Sequence, residues 1–328
     1  MSKKIFITGA TGSIGAHLTK MLSERGYTLH VLVRSLEKAQ QLNFDNVVPF
    51  LGDITDKQSI DRAMQGCQQA YHLAAMAKVW AKNSGQFYQI NVQGTVNVLQ
   101  SAVKHQIKKV VVCSTAGVLG PSINGVVTEE KTRDIDLFNE YEGSKAMMES
   151  RVKDFAINHN LDVVIVSPTR VYGPFLFGAP SSITLLIDKY VNGNWRIYPG
   201  HGQKTGNYIY IEDVALGHIL AMEKGRKGAT YLLGGENYDY ATFYEKLGAI
   251  SGIKRKMYTL PLSFLTTFAR LQLLLAEYFG IEPLVTPKWI AKARYDWKVS
   301  PQKAVEELGL PVTPIDVGIK ETIAYLKR

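Results

Sequence analysis

Short apolar runs alternate with stretches of helical periodicity over the first half of the chain. Lys4–Thr8 predicts a strand that runs into glycines. Ser13–Arg25 repeats its apolar positions at helical spacing, and Gly26 stops it. Further strands are predicted at Thr28–Val33, Val47–Leu51, Ala70–Leu73, Val110–Cys113 and Val163–Ser167. Helices are expected between them near Lys57–Met64, Gln86–Lys104 and Tyr141–Asn158. Strands without polar alternation, separated by amphipathic helices, imply a parallel sheet covered on both faces. The expected class is α/β, a doubly wound nucleotide-binding sheet, joined to a smaller helix-rich C-terminal lobe.

The alternation degrades after Pro168. Glycine and proline cluster at Gly173, Pro174, Gly178 and Pro180, then at Pro199, Gly200 and Gly202. Strands at Tyr208–Ile211 and Tyr231–Leu233 flank a helix, and Ser300–Pro301 reads as a helix start. These shifts place a dinucleotide-binding domain at 1–168, completed by roughly 207–234. A substrate lobe takes 169–206 and 235–328.

Composition changes this picture little. The chain has 328 residues, 46% hydrophobic and 20% charged, which suits a folded globular protein. Its net charge is +9, carried by scattered pairs such as Lys108/Lys109 and the cluster Lys254/Arg255/Lys256. No basic arm forms, so nucleic acid is not the expected partner; an anionic cofactor suits the charge. Cys67 and Cys113 sit among apolar or small residues and read as core, with no metal site. The start of the chain lacks a signal-peptide core, and Leu260–Phe279 is interrupted by Arg270, Gln272 and Glu277. A cytoplasmic protein with no membrane span is expected.

The first strand runs into Gly9, Thr11, Gly12, Ser13, Ile14 and Gly15. Glycines at 9, 12 and 15 permit a tight turn, close approach of backbone to a pyrophosphate, and close packing of helix on strand. The helix start presents free N–H groups to the anion. At the end of the second strand, an acidic residue would hydrogen-bond an adenosine ribose. Arg34 and Ser35 stand there instead, which favours NADP(H) over NAD(H). Asp53, with Ile54 beside it, follows the third strand. Asp53 either accepts from the adenine amine or caps the next helix.

Tyr141 and Lys145 lie four apart, on one helix face. A phenol near a cation can exchange a proton with a carbinol or carbonyl. Ser114 and Thr115 end the fifth strand at the carboxyl edge, where ligands bind.

With these motifs stand GDITD at 52–56, HLAA at 72–75, NVQGTVNVL at 91–99, CSTAGVLG at 113–120, SPTRVYGPF at 167–175 and YIYIEDVALGHILAMEKG at 208–225. Together with TGATGSIG at 8–15 and YEGSK at 141–145 they span nearly the whole chain. The chain resembles the extended short-chain dehydrogenase/reductases, the NAD(P)-dependent epimerase/dehydratase group. The resemblance implies that Tyr141 is the acid/base and that Lys145 activates it and holds a ribose. The catalytic hydroxyl falls on Thr115, with Ser114 as the alternative. Ala74 and Ala75 would line the cofactor. Asn91 would be structural or cofactor-side, and Pro168 and Val171 would flank the nicotinamide. The resemblance also implies a homodimer paired through Gln86–Lys104 and Tyr141–Asn158.

Two departures turn the reading away from nucleotide sugars. Arg170 stands where many such members carry Asn, and Gly206 where they often carry a diphosphate-binding Arg; Lys204 or Arg170 could substitute. The segment from Ser167 to Ser182 is similar to the dihydroflavonol reductase-like branch. The expected function is NADP(H)-dependent reduction of a ketone or aldehyde, a small-molecule carbonyl substrate, with Tyr141 as general acid. The alternative is a sugar epimerase or dehydratase. Phe175, Leu176, Phe177, Trp195 and the helix Leu262–Phe279 are expected to wall the substrate, with Leu262–Phe279 alternatively serving as core.

Overall fold

The computed structural model describes residues 3–327. Its strands are β1 (Lys4–Thr8), β2 (Thr28–Val33), β3 (Val47–Leu51), β4 (Gln69–His72), β5 (Lys109–Cys113), β6 (Val163–Pro168), β7 (Arg170–Tyr172), β8 (Ile197–Pro199), β9 (Thr205–Tyr210), β10 (Thr230–Leu233), β11 (Glu236–Asp239) and β12 (Tyr258–Leu260). The helices are α1 (Ser13–Glu24), α2 (Leu36–Gln40), α3 (Lys57–Met64), α4 (Gly85–Tyr88), α5 (Gly94–Lys104), α6 (Glu140–Asn158), α7 (Ser182–Val191), α8 (Ile211–Lys224), α9 (Tyr240–Ser251), α10 (Leu262–Phe279), α11 (Pro287–Lys292) and α12 (Ile315–Leu326).

Seven strands form one parallel sheet in the order β10-β6-β5-β4-β1-β2-β3. Inner strands such as β6 are buried at every position, as their unbroken apolar runs require. The edge strand β3 keeps exposed positions. One face carries a core with Leu18 and Leu22 of α1 and Val214 and Ile219 of α8. The other face buries Ile60 and Met64 of α3, Val98 and Leu99 of α5, and Met148 and Val152 of α6. The chain leaves β3 and re-enters beside β1 as β4. The carboxyl ends of β1 and β4 therefore frame the crevice where this topology binds ligands.

A three-stranded sheet, β11-β9-β7, and a two-stranded one, β12-β8, stand apart from the main sheet. Around β9 a separate core forms from Tyr208, Tyr210, Ile187, Phe243, Leu247 and Ile319. The five strands of these sheets and the short α2 are too brief to leave a strong periodic signal, and of them only β9 overlaps a strand read from the pattern.

Two elements differ from expectation. Gln86–Lys104 is not one helix: α4 and α5 are joined by a π-helical turn over Gln89–Gln93. That turn wedges Asn91 inward, where Thr95 Oγ1 donates to its carbonyl at 2.7 Å. Helix α10 is not core. Only Ala269 and Ala276 are buried there, while Phe264, Phe268, Leu271 and Tyr278 are exposed. No helix among the described residues is long and apolar enough to cross a membrane.

Candidate active site

The glycine turn is held by its own geometry. Gly12 N donates to Gly9 O at 2.9 Å, and Gly9 has φ +76°, a conformation that favours glycine. A Cβ on Gly9 would stand 2.7 Å from Ala74 N, and one on Gly15 would stand 2.0 Å from Gly9 O. The ends of β1 and β4 and the start of α1 thus touch only because both residues lack side chains. Gly12 caps α1 without a side-chain hydrogen bond, so its first N–H groups keep their capacity for a ligand. Ser13 Oγ is buried with no protein partner among the described residues. Thr11 and Ile14 complete the turn, with Ile14 packed on the core. A narrow cradle with unspent donors fits a dinucleotide pyrophosphate.

The segment 173–181 borders this cradle. Gly178, at φ +75°, lies so close that a Cβ would meet Thr11 O at 2.9 Å. His17 on α1 bonds Pro174 O at 2.9 Å. Burial lowers the pKa of this imidazole, so it bonds as a neutral ring. The walls expected from this region are half-buried, each with one side packed on protein. Phe177 packs on the main core, Trp195 on the core around β9, and Phe175 edge-on to Tyr325 at 5.3 Å.

Arg34 is exposed at the end of β2, with no ion pair among the described residues. Ser35 caps α2 by accepting from Lys38 N at 3.2 Å. Asp53 does not cap α3; Asp56 does, accepting from Gln58 N. Asp53 Oδ1 instead accepts from the backbone N and the hydroxyl of Thr55, both at 2.8 Å. Ile54 is buried against Gly94, and its carbonyl accepts from Asn97. Ala74 and Ala75 follow β4 half-buried beside the cradle; Pro168 ends β6 and Val171 lies in β7.

Asn91 is a clasp. Its Oδ1 accepts from Met76 N at 2.7 Å, and its Nδ2 donates to Met76 O and to Ser144 Oγ. It ties the segment after β4 to α6, one residue before Lys145.

Asn139 caps α6 by accepting from Glu142 N at 2.9 Å, which sets the register of Tyr141 and Lys145. Lys145 is buried, and its Nζ donates to Cys113 O at 2.8 Å. Burial lowers its pKa, opposed by Cys113 and Glu149. Burial also pushes the Tyr141 phenol above its ordinary value. The Thr115 hydroxyl faces that phenol and pulls the other way. Thr115 Oγ1 accepts from Gly117 N at 3.2 Å. Ser114 turns away: its hydroxyl donates to Glu149 Oε1 at 2.5 Å, and burial raises the Glu149 carboxyl. Tyr141, Thr115 and Lys145 therefore gather at the carboxyl edge of β5, and Ser114 does not join them.

Several contributors escape sequence reasoning. His72 Nε2 bonds Thr95 Oγ1 at 2.8 Å, and Nδ1 bonds Thr8 Oγ1 at 2.7 Å. Thr95 gives its proton to Asn91 O and Thr8 accepts from Ala74 N, so Nε2 carries the hydrogen and Nδ1 is bare. Burial and the Lys145 charge hold the pKa of His72 down to about 3. Glu142 is buried between Arg133 at 3.0 Å and Lys292 at 2.6 Å. The i+4 spacing from Lys145 to Glu149 could have found the latter. Arg133 and Lys292 carry no such signal, because folding alone brings them to α6.

Residues 5–234 match the NAD dependent epimerase/dehydratase family. The chain belongs to this family. It is 30% identical to a putative dihydroflavonol 4-reductase of Synechocystis, over 100% of this chain and 96% of that protein. It is 25% identical to the mouse sterol-4-alpha-carboxylate 3-dehydrogenase, over 98% and 90%. The crystal structure of gox2253 superposes with a TM-score of 0.82 at 30% identity, covering 99% of this chain and 98% of that one. The family member described here is thus an extended short-chain dehydrogenase/reductase, an NAD(P)-dependent oxidoreductase.

Proposed function

We propose that this protein reduces a ketone or aldehyde to an alcohol, with NADP(H) as its favoured cofactor and Tyr141 as general acid. The observation that carries the reading is the meeting, at the carboxyl edge of β5, of the half-buried Tyr141, with Thr115 opposite its phenol, and of Lys145, one helical turn further along α6 and anchored on Cys113 O. A phenol so placed can give its proton to a carbonyl oxygen, as reduction demands.

The nicotinamide, when bound, would supply the hydride. Tyr141 Oη gives its proton to the oxygen of the carbonyl as charge develops there, and solvent later restores it. Thr115 donates a hydrogen bond to the same oxygen, in a site dry enough to strengthen it. Lys145, anchored on Cys113 O, keeps a positive charge close to the phenolate left behind. Gly9, Gly12, Gly15, Thr11, Ser13 and Ile14 hold the pyrophosphate, and Arg34 takes the 2′-phosphate. Ala74, Ala75, Pro168 and Val171 line the ring's side of the cleft. Asp53 and Ile54 shape the adenine side. The substrate lobe is formed by 169–206 and 235–328, and two copies pair through α5 and α6.

The reading is supported against nucleotide-sugar chemistry by Gly206, which offers no side chain to a diphosphate, while the half-exposed Lys204 pairs with Asp296 at 3.2 Å. A purified sample assayed for NADPH and NADH consumption across a panel of ketones and aldehydes tests the proposal. Consumption with at least one carbonyl, faster with NADPH, is expected. Turnover of nucleotide sugars without external cofactor would replace this reading with the epimerase one.

A further inference from the structure

Arg170 and Gly206 are one structural unit. A Cβ on Gly206 would lie 2.2 Å from Arg170 Nη1, so the guanidinium occupies the space this glycine leaves open. It lies 5.5 Å from the ring centre of Tyr208 and 5.3 Å from that of Tyr240. Nη1 donates to Tyr208 Oη at 3.3 Å. No carboxylate pairs with Arg170 among the described residues. A guanidinium packed into protein normally finds one, because leaving it uncompensated is costly. The two tyrosines compensate part of the charge through their rings and hydroxyls, and the rest of the N–H fork meets no carboxylate among the described residues.

The neighbouring cations have partners of their own. Arg133 donates to four backbone carbonyls, of Gly117, Val118, Ile135 and Asp136, and to Glu142. Lys292 donates to Glu142 and lies over the rings of Trp289 and Trp297. Lys204 holds Asp296. Lys292 feels the charge of Arg170, and its partner Glu142 follows Tyr141 directly in α6. Arg170 also begins β7, two residues past the carboxyl end of β6. It therefore stands past the carboxyl edge of the sheet, the edge at which Tyr141 and Thr115 also gather.

We propose that Arg170 is the anion anchor of the substrate, and that the carbonyl compound carries a single carboxylate bound by this fork between Tyr208 and Tyr240. One uncommitted guanidinium balances one negative charge. Its planar donors match the two oxygens of a carboxylate, whereas a diphosphate would need further free cations. The inference rests on the reductase reading for the reaction and on Arg170 alone for the ligand.

Calorimetric titration of the protein loaded with NADP+ tests it, with octanoate, methyl octanoate and octyl phosphate as probes. Octanoate should bind, and the ester should bind weaker by about 10². Arg170→Met should erase that preference, and Arg170→Lys should restore only part of it. Gly206→Ala keeps the charge but displaces the guanidinium, so it should also lose the preference. Retained NADP+ binding shows that each variant is folded, and Gly206→Ala carries the test if Arg170→Met is not. Equal binding of acid and ester, no binding of octanoate, or an acid preference surviving in Arg170→Met would overturn the anchor. Octyl phosphate binding above octanoate would overturn the carboxylate. If no carbonyl is reduced while the acid preference persists, the reductase reading falls and the anchor stands.

Discussion

Ser114 and Thr115 leave the end of β5 in opposite directions: the Ser114 hydroxyl donates to Glu149, and the Thr115 hydroxyl faces Tyr141. Successive strand residues alternate sides, so one position of slip would exchange these roles. Thr115→Val removes the hydroxyl at nearly constant shape and should lower turnover by ~10²–10³. Ser114→Ala should spare turnover and cost about 1–3 kcal/mol of stability, because Glu149 loses one of its buried hydrogen-bond partners. Kinetics at saturating cofactor and urea unfolding of both variants check this; a large kinetic loss from Ser114→Ala alone would reverse the assignment.

Tyr141→Phe keeps the ring and removes the proton. Turnover should fall by on the order of 10²–10⁴ with cofactor affinity little changed. Lys145→Met should damage both. Because burial raises the phenol's pKa, the acid form persists through neutral pH. The reduction rate should therefore stay flat across neutral pH and decline only in strong alkali. A decline centred near neutrality would point to another acid.

Arg34 should make NADPH bind more tightly than NADH by roughly 1.5–3 kcal/mol. Its exposure means that salt screens part of this, so the preference should shrink as ionic strength rises. Arg34→Asp should reverse the order of affinities. Equal affinities in the parent at physiological salt would refute the phosphate contact.

Buried neutral histidines should make the fold acid-labile. The pKa values of His72 and His218 are held by burial at about 3 and about 4, below an unfolded value near 6.5. The unfolded chain binds the extra protons, so this stability is complete above pH ~6.5 and declines as pH falls toward the folded values. Each ring contributes a slope of up to about 1.4 kcal/mol per pH unit in that window. His218→Leu should flatten the dependence of unfolding free energy on pH by one proton. Identical slopes for variant and parent would contradict the argument.

A shallow groove runs between α5 and α6, lined by Val96, Met147 and Phe155 with Arg151 and Asp154 at hand. Pairing of two copies there would cover the exposed Met147. Sedimentation of the parent should show a dimer, and Met147→Asp combined with Val96→Asp should shift it to monomer. A monomeric parent would remove the proposed pairing.

The parallel sheet, the glycine turn and the Tyr141/Lys145 pair were legible along the chain, because each is written in local spacing. Period two or 3.6 reports which face is buried, and glycine at 9, 12 and 15 reports backbone approach within one turn. The strand-end hydroxyls were legible as a pair, and the likeness to known reductases pointed to Thr115. What faces each hydroxyl, Glu149 or Tyr141, required the packed helix α6. The wiring of His72 through Thr8 and Thr95, the clasp of Asn91, and the charges around Glu142 arise only on packing. Their partners come from separate elements and obey no spacing rule. Arg170 and Gly206 show the reason most directly. In the sequence they are two unrelated departures; in space the missing side chain of one makes room for the guanidinium of the other. Volume exclusion between strands distant in the chain leaves no periodic trace, so packing alone could join them.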